Sequence, residues 1–270
     1  MLRRDFSPGR MPYHARLPLL EIKLLRGDKT RQQAQILGSP LDATIEYLTG
    51  SIIALDVITR EKIVDAMMKR DEYVGLREQY FPQNRPDSET YFDVIDQIEP
   101  ISGECFFNAH DSTHYISSLW EMSAFLTRTL FKFPIKARNT SLWTLLKHLY
   151  NDPRFNDLIT HTEFSLTTNN QGHQIGSYKS GSVLDRLKNY RNMSTHFLWP
   201  YGDSVRSAES VPLLGMRSRS FSLYDPVSNQ SIPTNVPTPE GLANLAEEAF
   251  THYVRGYEIM ESGMIRHLGV

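Results

Sequence analysis

Cysteine is almost absent from this chain of 270 residues, because Cys105 is the only one. A single cysteine excludes an internal disulfide and a four-cysteine zinc site, and it favours a reducing compartment. No stretch is apolar over a membrane-spanning length, and the basic N-terminal residues are not followed by an apolar run. We therefore expect a soluble, cytoplasmic protein with no membrane partner, in which Cys105 is a small buried core residue.

The sequence also lacks an excess of charge of either sign. Its 29 Lys and Arg residues and 31 Asp and Glu residues leave a formal net charge of −2. Such a balance provides no overall attraction to nucleic acid, so any such contact must come from a local group of basic residues. One candidate is Arg217-Ser218-Arg219 with Arg206, which could contact phosphates or form a solvated hairpin.

Glycine-rich phosphate loops and serine nucleophile motifs are missing as well. Gly172, Gly176 and Gly181 have no phosphate-loop spacing, and no serine lies in a Gly-x-Ser-x-Gly pattern. The sequence therefore does not support a nucleotide-binding loop or a serine hydrolase, and we expect no cofactor.

Two groups of potential metal ligands have simpler explanations. His110 and His114 have a spacing that can bind a metal on a helix, but Asp111 replaces the Glu of the metalloprotease pattern and no third ligand is evident. Asp111 or Ser112 is more simply the N-cap of a helix. The second group consists of three carboxylates: Asp93, Asp96 and Glu99. They are typical of an exposed acidic helix, with a metal or acid–base role as the alternative, and we expect no metal.

Apolar residues recur at three- and four-residue steps through most of the chain, which predicts helices. The predicted helices are one long helix or two abutting ones over 40–80, and further helices over 111–133, 139–150, 155–161, 182–199 and 238–260. Residues 1–18 are predicted to be an extended arm and residues 167–176 a loop. We predict an all-α bundle of about five main helices, with a small β-hairpin or loop insertion near 205–235. As domains, we expect 1–105 to form an N-terminal arm and long helix, and 106–270 a helical domain.

The most compact group of chemically versatile side chains lies on the helix predicted over 182–199: Arg191, Asn192 and His196. Helical geometry sorts this segment into two arcs. The polar arc contains Asp185, Lys188, Asn189, Asn192, Thr195 and His196. The apolar arc contains Val183, Leu187, Tyr190, Ser194, Phe197 and Leu198. Arg191 lies at the border, and Asn192 is one turn before His196, so its amide can hydrogen-bond the imidazole and set its tautomer.

The motif Tyr190-Arg191-Asn192-x-x-x-His196 resembles that of the HEPN superfamily of RNA-cutting domains. In that family an Arg, usually followed by Asn, His or Asp, precedes a His with four to six residues between them, on a helix of an all-α bundle. The resemblance covers this motif and the general helical layout of 106–270. Arg154 and His161 also fit the spacing, but no Asn follows Arg154.

This resemblance implies a metal-independent endoribonuclease, in which the ribose 2′-OH attacks the neighbouring phosphodiester. The products carry a 2′,3′-cyclic phosphate and a 5′-OH. His196 would act as acid or base, Arg191 would supply a permanent cation, and Asn192 would complete the catalytic group. The candidates for substrate binding are Lys188, Tyr190 and Thr195, although Tyr190 fits packing better because it lies on the apolar arc.

One Arg/His pair provides only half of the groups that the reaction needs. The resemblance therefore implies a homodimer whose facing helices complete one site. It also implies RNA as the substrate, a role in a toxin or antiviral-defence system, and an antitoxin or regulatory partner. Two alternatives stay open, namely a non-catalytic HEPN-like module that binds RNA, a nucleotide or a protein, and a helix whose polar face is merely solvated.

Overall fold

The computed structural model describes residues 8–24, 39–80, 88–196, 219–225 and 230–268. The helices are α1 (Met11–Arg16), α2 (Ser39–Tyr80), α3 (Ser88–Phe131), α4 (Leu142–Leu149), α5 (Asn156–His161), α6 (Val183–His196) and α7 (Pro239–Leu268). Short 3₁₀ helices cover Ala137–Asn139 and Pro153–Phe155. Two antiparallel hairpins pair β1 (Phe164–Thr168) with β2 (Gln174–Tyr178), and β3 (Arg219–Asp225) with β4 (Gln230–Val236). The predicted all-α fold with a β insertion near 205–235 is confirmed.

For residues 40–80 the sequence left open one long helix or two abutting ones. The structure has a single helix there, α2. Pro40 lies in its first turn, where a proline costs no intrahelical hydrogen bond. Gly50 and Gly75 lie inside the helix and do not end it. Apolar residues at helical spacing, such as Ile45 and Ile52, are buried and explain why the helix continues.

The predicted helix start at Asp111 or Ser112 is wrong, because α3 runs without a break from Ser88 to Phe131. Pro100 lies inside this helix, although proline removes one backbone hydrogen bond. Fully buried apolar residues lie on both sides of it, with Ile98 before and Cys105 after. The free energy gained by burying these residues outweighs the cost of a proline inside the helix. Tertiary packing thus overrides the low helix propensity of Pro100.

Three local predictions also need correction. The N-terminal region is not wholly extended, because it contains the short helix α1. The predicted loop over 167–176 includes the ends of β1 and β2, and the register pairs Thr167 with Ile175. Finally, α7 extends beyond its predicted end near Met260, with Met260 and Met264 both fully buried.

The described residues group into two compact units, the first drawn from those within 1–16, 60–113 and 189–247 and the second from those within 17–59, 114–188 and 248–270. The first unit has a core cluster of Ala66, Cys105, Phe106, Ala109, Tyr190, Leu242, Ala243 and Leu245. In the second, fully buried side chains include Ile116, Leu119, Leu145, Leu146, Phe155 and Phe250. The domain division at residue 105 stays a prediction.

Candidate functional site

The helix that carries the candidate residues, α6, begins at a reciprocal capping arrangement. The backbone N–H of Asp185 donates to Oγ of Ser182 at 3.3 Å, and the N–H of Gly181 donates to Oδ2 of Asp185 at 2.9 Å. Gly181 has a φ of +77°, a conformation that glycine adopts without strain. The first bond satisfies an N–H that the helix start leaves unpaired, and the second ties the preceding residue to the first turn, so together they fix where α6 begins.

Burial along α6 agrees with the predicted division into two faces at most described side chains, while Val183, Asp185 and Ser194 are half-buried. Leu187 and Tyr190 are buried, whereas Lys188, Asn189 and Asn192 are exposed. Leu184, which the predicted apolar arc omitted, is buried as well. The amphipathic interpretation of this helix is therefore confirmed over its described side chains.

Tyr190 anchors α6 in the core of the first unit. Its side chain is 6% exposed, and its hydroxyl lies 2.7 Å from Nδ1 of His110. The two rings meet edge to face, with centroids 5.8 Å apart. Burial, together with the carboxylate of Asp111, raises the pKa of Tyr190, so its hydroxyl stays protonated at neutral pH. This position favours the packing role of Tyr190 over stacking on a base.

His110 is buried in the first unit, where its ring contacts other core side chains. Its ring stacks on Phe106 with centroids 6.3 Å apart, and its Nδ1 is occupied by Tyr190. Nowhere in the described ranges do three His, Cys, Asp or Glu side chains converge as metal ligands. The side chain of Asp93 lies outside the described residues.

Arg191 and Asn192 follow directly after the anchored Tyr190. Arg191 is half-buried, as expected for a residue at the border of two faces, and Asn192 is exposed. The backbone carbonyl of Arg191 accepts a hydrogen bond from Oγ of Ser194 at 3.0 Å. His196 is the last residue of α6 and lies one turn after Asn192 along the helix.

Several predicted features lie outside the described residues. They include the side chains of Thr195 and His196, so the predicted hydrogen bond between Asn192 and His196 stays a prediction. Pro200, the predicted helix end, also lies outside. The same holds for Arg206 and Arg217 of the basic run and for the side chain of Arg219.

The second Arg/His combination, Arg154 and His161, is divided between different partners. The Arg154 guanidinium bonds Asp152 and lies 2.8 Å from Nδ1 of His267. His161 donates through Nε2 to the carbonyl of His252 at 2.9 Å, and these two imidazoles stack with centroids 4.0 Å apart. Each side chain thus has a local role, and that of Arg154 was not evident from the sequence.

Cys105 is fully buried, with Sγ 3.5 Å from the carbonyl oxygens of Ala66 and Pro239. Burial raises the pKa of this thiol to about 12, so it remains protonated and is not a nucleophile at neutral pH. The prediction of a buried core cysteine is confirmed.

The partner of Tyr190 was missed in the sequence. A buried tyrosine on an apolar arc usually needs a hydrogen-bond partner for its hydroxyl. The position of Tyr190 on that arc therefore indicated that a partner exists, but not which residue it is. His110 lies far from Tyr190 in sequence, and only the fold identifies it as that partner.

Comparisons of the chain with protein-family models, with curated proteins and with solved structures found no match. None of the described helices combines the length and the apolar content needed to cross a bilayer.

Proposed function

We propose that this protein is a metal-independent endoribonuclease of the HEPN type, acting through Arg191 and His196. The observation that supports this proposal best is the setting of α6. Tyr190 is fixed in the core by its hydrogen bond to His110, and the next two residues, Arg191 and Asn192, are half-buried and exposed. The anchored Tyr190 fixes the backbone position from which the Arg191 side chain reaches a phosphate, and a fixed attachment point favours a defined site.

The proposed chemistry is attack of the ribose 2′-OH on the adjacent phosphorus, with departure of the 5′-oxygen. One histidine takes the proton of the 2′-OH while another gives a proton to the leaving 5′-oxygen. Arg191 stabilises the negative charge that builds on the phosphate, because guanidinium stays charged and binds oxygens in pairs. Asn192 orients His196, Lys188 and Thr195 contact the substrate, and Tyr190 acts as a positioning residue.

This chemistry calls for a homodimer, because each Arg191/His196 pair contributes one histidine and the reaction has two proton transfers. Two copies of α6 facing each other across a twofold axis would supply both histidines and two arginines. A nuclease of this kind needs control, so we include in the proposal a cytoplasmic toxin or antiviral-defence role with an antitoxin or regulatory partner.

The test is RNA cleavage by the purified protein in the presence of EDTA, with identification of the product ends. We expect 2′,3′-cyclic phosphate and 5′-OH ends, and no cleavage when the substrate carries 2′-O-methyl groups. Arg191→Ala and His196→Ala should each lower the rate at least a hundredfold, which is the usual scale for losing an acid–base or charge-stabilising group.

Matched controls come from the same chain. Arg186→Ala removes an arginine of α6 that pairs with Glu248 at 2.6 Å, and His173→Ala removes an exposed histidine of the β1–β2 turn. Both variants should cleave like wild type. Absence of cleavage with retained RNA binding would favour the non-catalytic module. Full activity of His196→Ala would overturn the assigned site.

A further inference from the structure

Three aromatic rings lie nearly parallel in the second unit, where α3 ends and α7 ends. The rings of Phe131 and His267 stack with centroids 3.8 Å apart and an interplanar angle of 22°. Phe131 and Phe133 stack at 5.3 Å and 13°. Both phenylalanines are half-buried, whereas His267 is exposed. The stack therefore presents an exposed flat ring at His267.

Arg154 holds that ring in place. Its guanidinium lies 5.0 Å from the Phe131 centroid and 2.8 Å from Nδ1 of His267, and Asp152 accepts hydrogen bonds from its Nε and terminal nitrogen at 2.9 and 2.6 Å. Arginine cannot accept a hydrogen bond, so Nδ1 of His267 must be the acceptor and its proton lies on Nε2. Burial and the charge of Arg154 lower the pKa of His267, in agreement with a neutral ring. The exposed imidazole thus keeps one N–H donor.

Three basic residues adjoin these rings by contact or in sequence. Arg266 donates to the backbone carbonyl of Arg154 at 2.6 Å and is exposed. Lys132, also exposed, lies in sequence between the two stacked phenylalanines. Asp152 pairs with Arg154, whereas Arg266 and Lys132 are exposed cations adjacent in sequence to His267 and to the two phenylalanines.

We infer that this cluster binds single-stranded polynucleotide, with one base stacking on His267 and the adjacent phosphate contacting Arg266 and Lys132. Flat aromatic rings combined with cations are the elements by which proteins hold single strands without sequence preference. A paired base is already stacked on both faces, so a duplex cannot use the ring. The choice of RNA over DNA as the natural strand rests on the proposed function, whereas the binding itself does not.

The experiment uses the full chain and a fluorescein-labelled, single-stranded 2′-O-methyl RNA oligonucleotide, with binding followed by anisotropy. This probe lacks the 2′-OH nucleophile, so binding is measured whether or not the protein cleaves RNA. His267→Leu should raise Kd about tenfold, the scale of losing one base–aromatic stack. His267→Phe keeps the flat ring and should bind within about twofold of wild type.

Arg266→Ala should raise Kd and lower the slope of log Kd against log salt by about 0.7, the value for one phosphate contact on a single strand. Arg255→Ala is the matched control, because Arg255 lies on the same helix and pairs with Glu258 at 3.0 Å. It should leave both quantities unchanged. Thermal unfolding verifies that every variant is folded.

Competing strands complete the test. Unlabelled single-stranded RNA and DNA should both displace the probe, since both offer a base and a phosphate. Equal competition by double-stranded RNA would overturn the stacking claim. The inference also fails if wild type does not bind the probe, or if His267→Leu binds like His267→Phe.

Discussion

The contact between Tyr190 and His110 buries two polar atoms against each other at 2.7 Å. Tyr190→Phe removes the hydroxyl and leaves Nδ1 of His110 without this partner. We expect a loss of about 1–2 kcal/mol in the free energy of unfolding, measured by urea denaturation, because a buried polar group loses a hydrogen bond. Tyr47→Phe is the control, since Tyr47 is 73% exposed, and it should unfold like wild type. Equal stability of the two variants would contradict the anchoring role of Tyr190.

His252 links stability to pH. Its Nε2 is buried and has no hydrogen-bond partner among the described residues, and its ring stacks on His161. Burial and the neighbouring His161 lower the pKa of His252 to about 4. In the unfolded chain a histidine has a pKa of about 6.5, so the unfolded state binds the proton first as pH falls. The stability that His252 contributes is therefore present above pH 6.5 and lost towards pH 4.

The corresponding prediction concerns urea unfolding at several pH values. As pH falls from 6.5 towards 4, protonation of His252 in the unfolded state should lower the free energy of unfolding of wild type by up to about 3 kcal/mol. His252→Phe keeps a ring for the stack but cannot be protonated, so its stability should fall less steeply. His173→Gln, at the exposed β1–β2 turn, should retain the wild-type profile. If the free energies of unfolding of wild type and His252→Phe fell equally with pH, His252 would not be the cause of the pH dependence.

Replacing glycine by alanine should have opposite effects on stability in α2 and in α7, because the two helices are packed differently at these positions. Gly50 lies in α2 with open space around a Cβ position, whereas a Cβ at Gly256 in α7 would overlap the Trp120 indole and approach Cδ2 of His161 at 3.1 Å. Gly50→Ala should stabilise the protein by about 0.5–1 kcal/mol through helix propensity. Gly256→Ala should destabilise it by about 1–3 kcal/mol through overpacking.

Thermal and urea unfolding of the two glycine variants measure both effects. Gly75→Ala serves as a second open-space control in α2 and should resemble Gly50→Ala. If Gly256→Ala were as stable as Gly50→Ala, the close contact between α7 and Trp120 would be contradicted.

Element boundaries could be predicted where a local signal determines them. Thr238 caps α7 through a 2.9 Å hydrogen bond from the N–H of Gly241, as Thr238-Pro239-Glu240 predicted. Ser141 caps α4 in the same way, accepting from the N–H of Thr144. The start of α3 could not be predicted, because burial of residues around Pro100 outweighs the local signals there.

The proposed dimeric site predicts how activity depends on protein concentration. If two chains form each proposed site, activity per chain should fall when the protein is diluted below the dimer dissociation constant. Cleavage rates over a dilution series, together with the mass in solution from light scattering, measure this. A monomer whose activity per chain is constant on dilution would contradict the composite site while leaving a single-chain nuclease possible.

A mixing experiment separates the dimer from the chemistry. Wild type mixed with an excess of His196→Ala should lose more activity than dilution explains, because a mixed dimer holds one His196 for two proton transfers. Wild type mixed with the same excess of Arg186→Ala is the control, and the two activities should simply add, because Arg186→Ala keeps every proposed catalytic group.

The sequence by itself determined the fold class, the amphipathic division of α6 and the buried state of Cys105, because each depends on periodicity or residue type within a short segment. Only the tertiary structure decided that α3 continues through Pro100, that His110 meets Tyr190, and that Arg154 holds His267 on Phe131. These contacts join residues far apart in the chain. Their free energy comes from burial and from hydrogen bonds that form only when distant segments pack together, so no local pattern records them.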